Sequence, residues 1–283
     1  LFTQGMVCHE TYKDTFGKWI GPEEIDKKDG KTYVKKNTDE KIIVGSSEAM
    51  SKSKKNIIDP TSVISSYGAD SIRFFILSDS PPGKDIQWSD EGISAAYKFL
   101  QKLWNLNSNI LNKKRIEKNS NVNIEIEKYT NKIIFEITKN LDNFYYNVAI
   151  ANIHDMYNKF IIFSNNSDVS YNVLIKNYKK ILILIMPILP HFASECLSKL
   201  ESDLELSNLK WPNYDSNLIK DKECNIVIQI NGKKRGLLKM PIDTNENEIE
   251  KNVIQNSNIK KYLEDKPIKK RIYIKNKIIN LIV

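Results

Sequence analysis

The sequence predicts a multidomain chain of α/β plus α construction, and three observations carry the prediction. At 283 residues it exceeds the roughly 100–200 residues of a single domain. Between residues 92 and 200 apolar side chains recur at three- and four-residue steps, the period of amphipathic helices. From Ile226 onward the period drops to two, and strand, helix and strand patterns then complete a small ββαββ unit.

In chain order, Leu1 to Val7 is an apolar run interrupted by Gly5 and reads as a buried strand or strand-to-helix turn. Residues 17–45 are rich in Gly, Lys, Asp and Glu, and a turn at Asp29-Gly30 beside Thr32-Tyr33-Val34 predicts a small β insertion. A polar loop over 46–58 ends at Asp59-Pro60. That pair is a helix start, in which Asp59 caps the free amides and Pro60 sits where its missing N–H costs nothing. Gly68 ends the helix, and Asp70 is expected to cap the next, which carries Ile72, Phe74, Phe75 and Ile76.

The first two stripes of the helical region are Ile93, Tyr97, Leu100, Trp104 and Ile126, Tyr129, Ile133, Ile137, Leu141. Later helices hold Ile153, Tyr157, Phe160 and Leu174, Tyr178, Ile181, Ile185, with the last stopped by Pro187 and Pro190; the connecting loops fall at 112–123 and 165–167. After Trp211-Pro212, Ile226, Ile228 and Ile230 alternate toward one face, Asn231-Gly232 is a hairpin turn and Lys233 to Met240 is the return strand. One helix over about 246–263, with Asn245 as its cap and Glu248 three residues on, precedes strands at Lys270 to Ile274 and Ile278 to Val283.

Charge is unevenly spread. Residues 224–283 hold 13 Lys or Arg against 6 Asp or Glu, so most of the net +8 lies in the tail. A polyanionic partner explains this, and so does a genome whose base bias enriches Asn and Lys. Cys8, Cys196 and Cys224 stand far apart at no metal-ligand spacing, which leaves no disulfide framework and no zinc site, and a cytoplasmic location fits. The longest apolar run, Ile181 to Leu189, contains Pro187 and falls far short of the roughly 20 residues of a membrane helix, so no membrane partner is expected. No basic stretch precedes Leu1 to Val7, so they do not read as a signal peptide, and the opening Leu in place of Met reads as a start inside a longer protein. His9, His154 and His191 are isolated, and no triad or paired carboxylate emerges, against a self-contained hydrolase.

Ala49-Met50-Ser51-Lys52-Ser53 carries the most chemistry. Drawing negative charge onto a departing pyrophosphate needs a cation and donors on a mobile loop, and a Lys between two hydroxyls supplies both. Lys52 would be the main phosphate contact, Ser51 and Ser53 donors, and Lys54 and Lys55 a longer-range attraction. The same composition also describes a solvated loop ahead of a helix. The stretch resembles the KMSKS loop of class I aminoacyl-tRNA synthetases. Gly68-Ala69-Asp70-Ser71-Ile72-Arg73 resembles their G-A-D-x-x-R helix, Asp85-Ile86-Gln87-Trp88 the segment leading into their anticodon-binding bundle, and Met186 to Glu195 their P-x-x-P-H-x-x-E turn, with Glu195 one position beyond the motif's Glu. One position departs: the family's first Lys is Ala49 here, which predicts weaker ATP handling. Arg73 reads equally as a surface charge, Trp88 as a core anchor, and His191 as a group satisfying backbone at a helix start.

Leu1 to Val7, the insertion directly before the loop, and the tail with Gln229-Ile230-Asn231-Gly232-Lys233-Lys234-Arg235-Gly236 and Lys277 to Val283 resemble leucyl-tRNA synthetases of bacterial type. The likeness covers essentially the whole chain; an isoleucine enzyme would be expected to end in a cysteine-rich zinc unit. The resemblance implies that residues 1–91 are the C-terminal part of a Rossmann-type catalytic domain, with a short leucine-specific insertion at about 17–45 and the loop at 49–53. It implies that 92–212 form an α-helical anticodon-binding domain and 223–283 a tRNA-binding domain. The implied ligands are ATP with Mg2+, leucine and tRNA(Leu), for activation of leucine to leucyl-adenylate and transfer to the tRNA. Ala49, Met50, Ser51, Lys52 and Ser53 would bind ATP, with Ser51, Lys52 and Ser53 catalytic and no residue holding a metal. Lys233, Lys234, Arg235, Lys269, Lys270 and Arg271, on two neighbouring strands, would contact tRNA phosphates without reading sequence. The family's H-x-G-H motif and editing domain have no counterpart here, so an N-terminal half, in the same chain or a separate subunit, is an expected partner. Two readings follow: a fragment or separately encoded half of an active synthetase, which Lys52 favours, or a tRNA-binding module outside catalysis, which Ala49 favours.

Overall fold

A computed structural model describes residues 3–28, 32–201, 205–219, 223–263 and 267–283. The chain divides into two units, Leu1–Asp215 and Ser216–Val283. In the first unit β1 (Val7–Lys13) pairs antiparallel with β2 (Trp19–Ile20). The insertion adds a hairpin of β3 (Ile25–Lys28) and β4 (Thr32–Lys35), whose expected turn at Asp29-Gly30 lies outside the described residues. Tyr12, Ile20 and Ile42 pack with Ile25 and Tyr33 into a small core beneath it.

Of the run expected as an opening strand, Leu1 and Phe2 lie outside the described residues, and residues 3–6 are not strand, which starts at Val7: Met6 is exposed, and Gly5 lies so close to the Lys84 carbonyl that a Cβ has no room. Residues 46–49 are not loop but the end of β5 (Ile43–Ala49), antiparallel to β1 with Ala49 opposite Cys8. Most of β5 is exposed, Ile43 and Val44 included, so it lacks the apolar alternation by which a strand is recognised.

The helices follow. In α1 (Pro60–Tyr67) Asp59 accepts from the Thr61 and Ser62 amides, and Gly68, at φ 80°, closes the helix with its N–H on the Ile64 carbonyl. Then come α2 (Ala69–Asp79), β6 (Ile86–Gln87), which pairs parallel with β1, α3 (Asp90–Leu111), α4 (Asn121–Asp142), α5 (Tyr146–Asn165), α6 (Tyr171–Ile185) and α7 (Pro190–Leu200). Ile126, Ile133, Ile137, Ile153, Phe160, Leu174, Tyr178, Ile181 and Ile185 are buried as their spacing predicts. On α3 the buried stripe is Ile93, Ala96, Phe99, Leu103, Leu106 and Ile110, while Tyr97 and Trp104 are 37% and 38% exposed. Large apolar residues on both faces of α3 pulled the expected stripe off register. Phe74 and Phe75 of α2 share this core, so α2 and the bundle are one packed body.

The second unit contains α8 (Ser216–Ile219), β7 (Glu223–Ile230), β8 (Lys233–Pro241), α9 (Glu246–Gln255), α10 (Ser257–Leu263), β9 (Lys270–Ile274) and β10 (Ile278–Ile282). The strand order is β8-β7-β10-β9, with β7 and β10 parallel. Asn231 and Gly232 take φ 49° and 78°, the left-handed pair a two-residue hairpin requires. Ile226, Ile228, Ile230, Ile279 and Leu281 pack on Ile249, Val253, Ile259 and Leu263. The single helix expected over 246–263 is two. At Asn256 the backbone is extended and the side-chain oxygen takes the Asn258 amide, the local competition by which Asn interrupts helices. Among the described residues no helix is long and apolar enough to cross a membrane.

Candidate functional site

The loop is built by the end of β5. The Met50 amide donates to the Val7 carbonyl at 3.2 Å, and its side chain packs against the bundle core, so Ala49 and Met50 place the loop on the sheet. Ser51 follows, then a tight turn over Lys52–Lys54, then Lys55 in the left-handed conformation at φ 57° with its amide on the Lys52 carbonyl. The Ser51 and Ser53 hydroxyl oxygens are 2.7 Å apart.

Three lysines crowd this turn, and their surroundings differ. Lys54 forms an ion pair with Glu48, and Lys55 Nζ lies 3.0 Å from Glu24 Oε1 on the insertion. Each hydrogen-bonded ammonium holds its glutamate below the usual carboxylate range. The longer-range attraction expected of Lys54 and Lys55 is therefore offset locally. Lys52 is exposed, and among the described residues no carboxylate lies within ion-pair distance of it. One free ammonium between two hydroxyls, on a short exposed turn, is a set of donors for phosphate oxygens.

Asn56, which reads in the sequence only as a loop residue, is fully buried under this turn. Its Oδ1 accepts from the Ser51 amide at 2.8 Å, and its Nδ2 donates to the carbonyls of Glu48 and His9 at 3.1 and 3.2 Å. Nothing local signals it, because one of its bonds spans 47 residues. Glu24, whose partner Lys55 lies 31 residues away, is hidden in the sequence for the same reason.

The second motif serves the bundle. Asp70 does not cap α2; it is 6% exposed and faces the start of α7. There its Oδ2 accepts from the Phe192 amide at 2.7 Å and its Oδ1 from His191 Nδ1 at 2.8 Å. Leu189, at the cap position of α7, has no side-chain acceptor, so α2 supplies one from across the fold. His191 thus pairs with a carboxylate rather than with backbone. Arg73 donates to the Pro187 and Ile188 carbonyls just beyond α6, and is no free surface charge. Cation at a helix C-terminus and carboxylate at an N-terminus each meet the favourable end of the dipole. Trp88 is buried with its indole N–H on Asp90, a core anchor as read.

In the second unit Lys233, Lys234 and Arg235 open β8 while Lys269, Lys270 and Arg271 lie at the start of β9. These strands are not neighbours but the two outer strands, because β10 inserts in parallel beside β7. The row Lys233–Ile230–Leu281–Arg271 still puts both clusters at one end of the sheet, three strand spacings or about 14 Å apart. Arg235 is the extra residue of a bulge, with its guanidinium 4.2 Å from the Tyr262 ring. Arg271 is engaged by Glu246, Asn247 and Glu250 on α9. Among the described residues Lys233, Lys234, Lys269 and Lys270 have no ion-pair partner. No group of three His, Cys, Asp or Glu among the described residues is arranged to hold a metal ion.

Residues 39–89 match the family model of class I tRNA synthetases (I, L, M and V), and residues 123–251 that of the anticodon-binding domain of tRNA ligase. Over its full length the chain is 37% identical to a leucine–tRNA ligase of Bartonella quintana (strain Toulouse), of which it covers 33%. It is 33% identical to that of Maricaulis maris (strain MCS10), again covering 33%. A crystal structure of the ternary complex of Agrobacterium radiobacter K84 agnB2 LeuRS, tRNA and LeuAMS superposes with a TM-score of 0.69 at 26% identity, covering 83% of this chain and 30% of that one. The chain therefore spans about a third of the length of the curated relatives it matches. The loop, the helix locked onto the bundle turn and the tail all agree with one conclusion: this chain is similar, from end to end, to the C-terminal portion of leucine–tRNA ligases, class I aminoacyl-tRNA synthetases.

Proposed function

We propose that the chain supplies the pyrophosphate-stabilising loop and the tRNA-binding regions of a leucine–tRNA ligase. In that reaction the leucine carboxylate attacks the α-phosphorus of ATP, pyrophosphate leaves, and the leucyl group passes from the adenylate to the 3′-terminal adenosine of tRNA(Leu). Charge builds on the departing pyrophosphate, and Lys52 is the cation placed to meet it while Ser51 and Ser53 donate hydrogen bonds. Magnesium enters with ATP as the substrate's counter-ion. Residues 1–91 act as the C-terminal part of a Rossmann-type catalytic domain, 92–212 as the anticodon-binding bundle, and 223–283 as the domain whose lysines meet tRNA phosphates.

The observation that carries this reading is the Lys52 ammonium, free in a loop whose other two lysines are paired. A second reading, a tRNA-binding module outside catalysis, is favoured by Ala49, which puts a methyl where the resembling loop has an ammonium. The test is a chimera in which this chain replaces the matching third of the Bartonella quintana enzyme. Leucine-dependent ATP–pyrophosphate exchange is expected, falling ~100-fold in Lys52→Ala, the size of effect that loss of one transition-state donor produces. Exchange unchanged by Lys52→Ala refutes the role of the loop; tRNA binding without any exchange supports the module.

A further inference from the structure

We infer that Asn56 is a positioning residue of the phosphate loop, whose carboxamide holds the Lys52 ammonium where the departing pyrophosphate forms; the inference rests on the reading of Lys52 given above. A carboxamide offers two donors and one oxygen acceptor from a single planar group. Here the oxygen takes the Ser51 amide at 2.8 Å, the residue immediately before Lys52. The nitrogen donates to the carbonyls of Glu48 and His9, a cross-strand pair of β5 and β1, and the Ala49 carbonyl lies 3.5 Å away. The backbone of Asn56 is itself the exit of the turn. One buried side chain thus ties the entrance of the loop, its exit and the two strands beneath it, and the left-handed Lys55 is the bend that returns the chain over its own entrance.

The consequence is for the chemical step. Ser51 and Ser53 bond each other, and Lys54 and Lys55 are directed to Glu48 and Glu24, so Lys52 depends on the Ser51 anchor for its direction. A cation lowers a barrier only in so far as it is already in place when the charge develops. Aspartate at this position keeps the acceptor for Ser51 but loses both donations, and alanine loses everything.

Two measurements separate positioning from mere folding. In this chain, amide hydrogen exchange of Ser51 is followed for Asn56→Ala and Asn56→Asp. In the chimera, the rate of leucyl-adenylate formation and the KM values for ATP and leucine are measured for the same variants beside Lys52→Ala. Asn56→Ala is expected to speed Ser51 exchange ~10- to 100-fold while amides in α4 and α6 keep their protection. It is expected to slow adenylate formation per folded molecule by ~30-fold with both KM values within ~3-fold, the pattern of an interaction made only in the transition state. Asn56→Asp should fall between wild type and alanine, and serves alone if the alanine variant does not fold. An unchanged rate per folded molecule, with Lys52→Ala slow, overturns the inference and leaves the loop reading standing. No effect of Lys52→Ala overturns the loop reading itself, whatever Asn56 does to exchange.

Discussion

In the turn from Glu48 to Asn56 three lysines meet Glu48 and Glu24, and one ammonium is left over; at the junction of α2 with α7, Asp70 and Arg73 meet helix ends and neither charge is left over. The two stretches look alike in sequence, short and polar with charges among small residues. What separates them is where the partners lie. The Asp70 and Arg73 bonds reach across 114 to 122 residues and saturate the motif from a distant helix turn. A charge that the fold satisfies internally builds architecture, and one that the fold leaves free while fixing its backbone is available to a ligand.

The difference can be broken from either side. The largest effect is expected at the junction, where Asp70→Ala strips the start of α7 of its acceptor and leaves the buried Phe192 amide unmet. A loss of about 2–3 kcal/mol in urea unfolding is expected, with Ser51 amide exchange unchanged. If the loop loosens as well, the two regions are not independent. Ala49→Lys in the chimera tests the loop from the other direction. A second ammonium should raise ATP–pyrophosphate exchange several-fold, about 1 kcal/mol of barrier, and no change counts against the assignment.

The smallest effect concerns the pair that ties the loop to the insertion. The Lys55 ammonium, by its hydrogen bond, holds the Glu24 carboxyl below its ordinary value of 4.5. A depressed carboxylate contributes stability above that ordinary value and loses it as acid carries the pH down through the lower, folded one. The pair is half exposed and screened, so its worth is at most about 0.5 kcal/mol. Thermal melts of wild type and Glu24→Gln should differ slightly at neutral pH and converge in acid; a gap that widens in acid contradicts the pairing.

Elements whose signals are local were legible in the sequence: the Asp59-Pro60 start, the Asn231-Gly232 hairpin, the alternation of Ile226, Ile228 and Ile230, and the heavy isoleucine stripe of α4. What failed depended on tertiary choice. On α3, Tyr97 and Trp104 offered a second apolar face, and only packing against α5 and α2 selects the other one. The parallel pairing of β7 with β10 separates the two basic clusters, and no local residue pattern encodes strand order. In the site, Lys52 could be picked out as a cation between hydroxyls. Lys54 meets Glu48 only six residues back, through the return of the turn, whereas the pairing of Lys55 with Glu24 and the bond of Asn56 to His9 are contacts between segments 31 and 47 residues apart.

Among the described residues no further strand pairs with the outer strands β8 and β9, the rims of the small sheet, and β9 carries Ile272 and Ile274 exposed. Such a rim invites a strand from another molecule to add on, the first step of aggregation, and lysines along it are a common deterrent. Lys233, Lys234 and Lys270 are all exposed and put positive charge along these outer strands whether or not a polyanion is near. Masking their charge, as acetylation does, is expected to favour self-association along the rim.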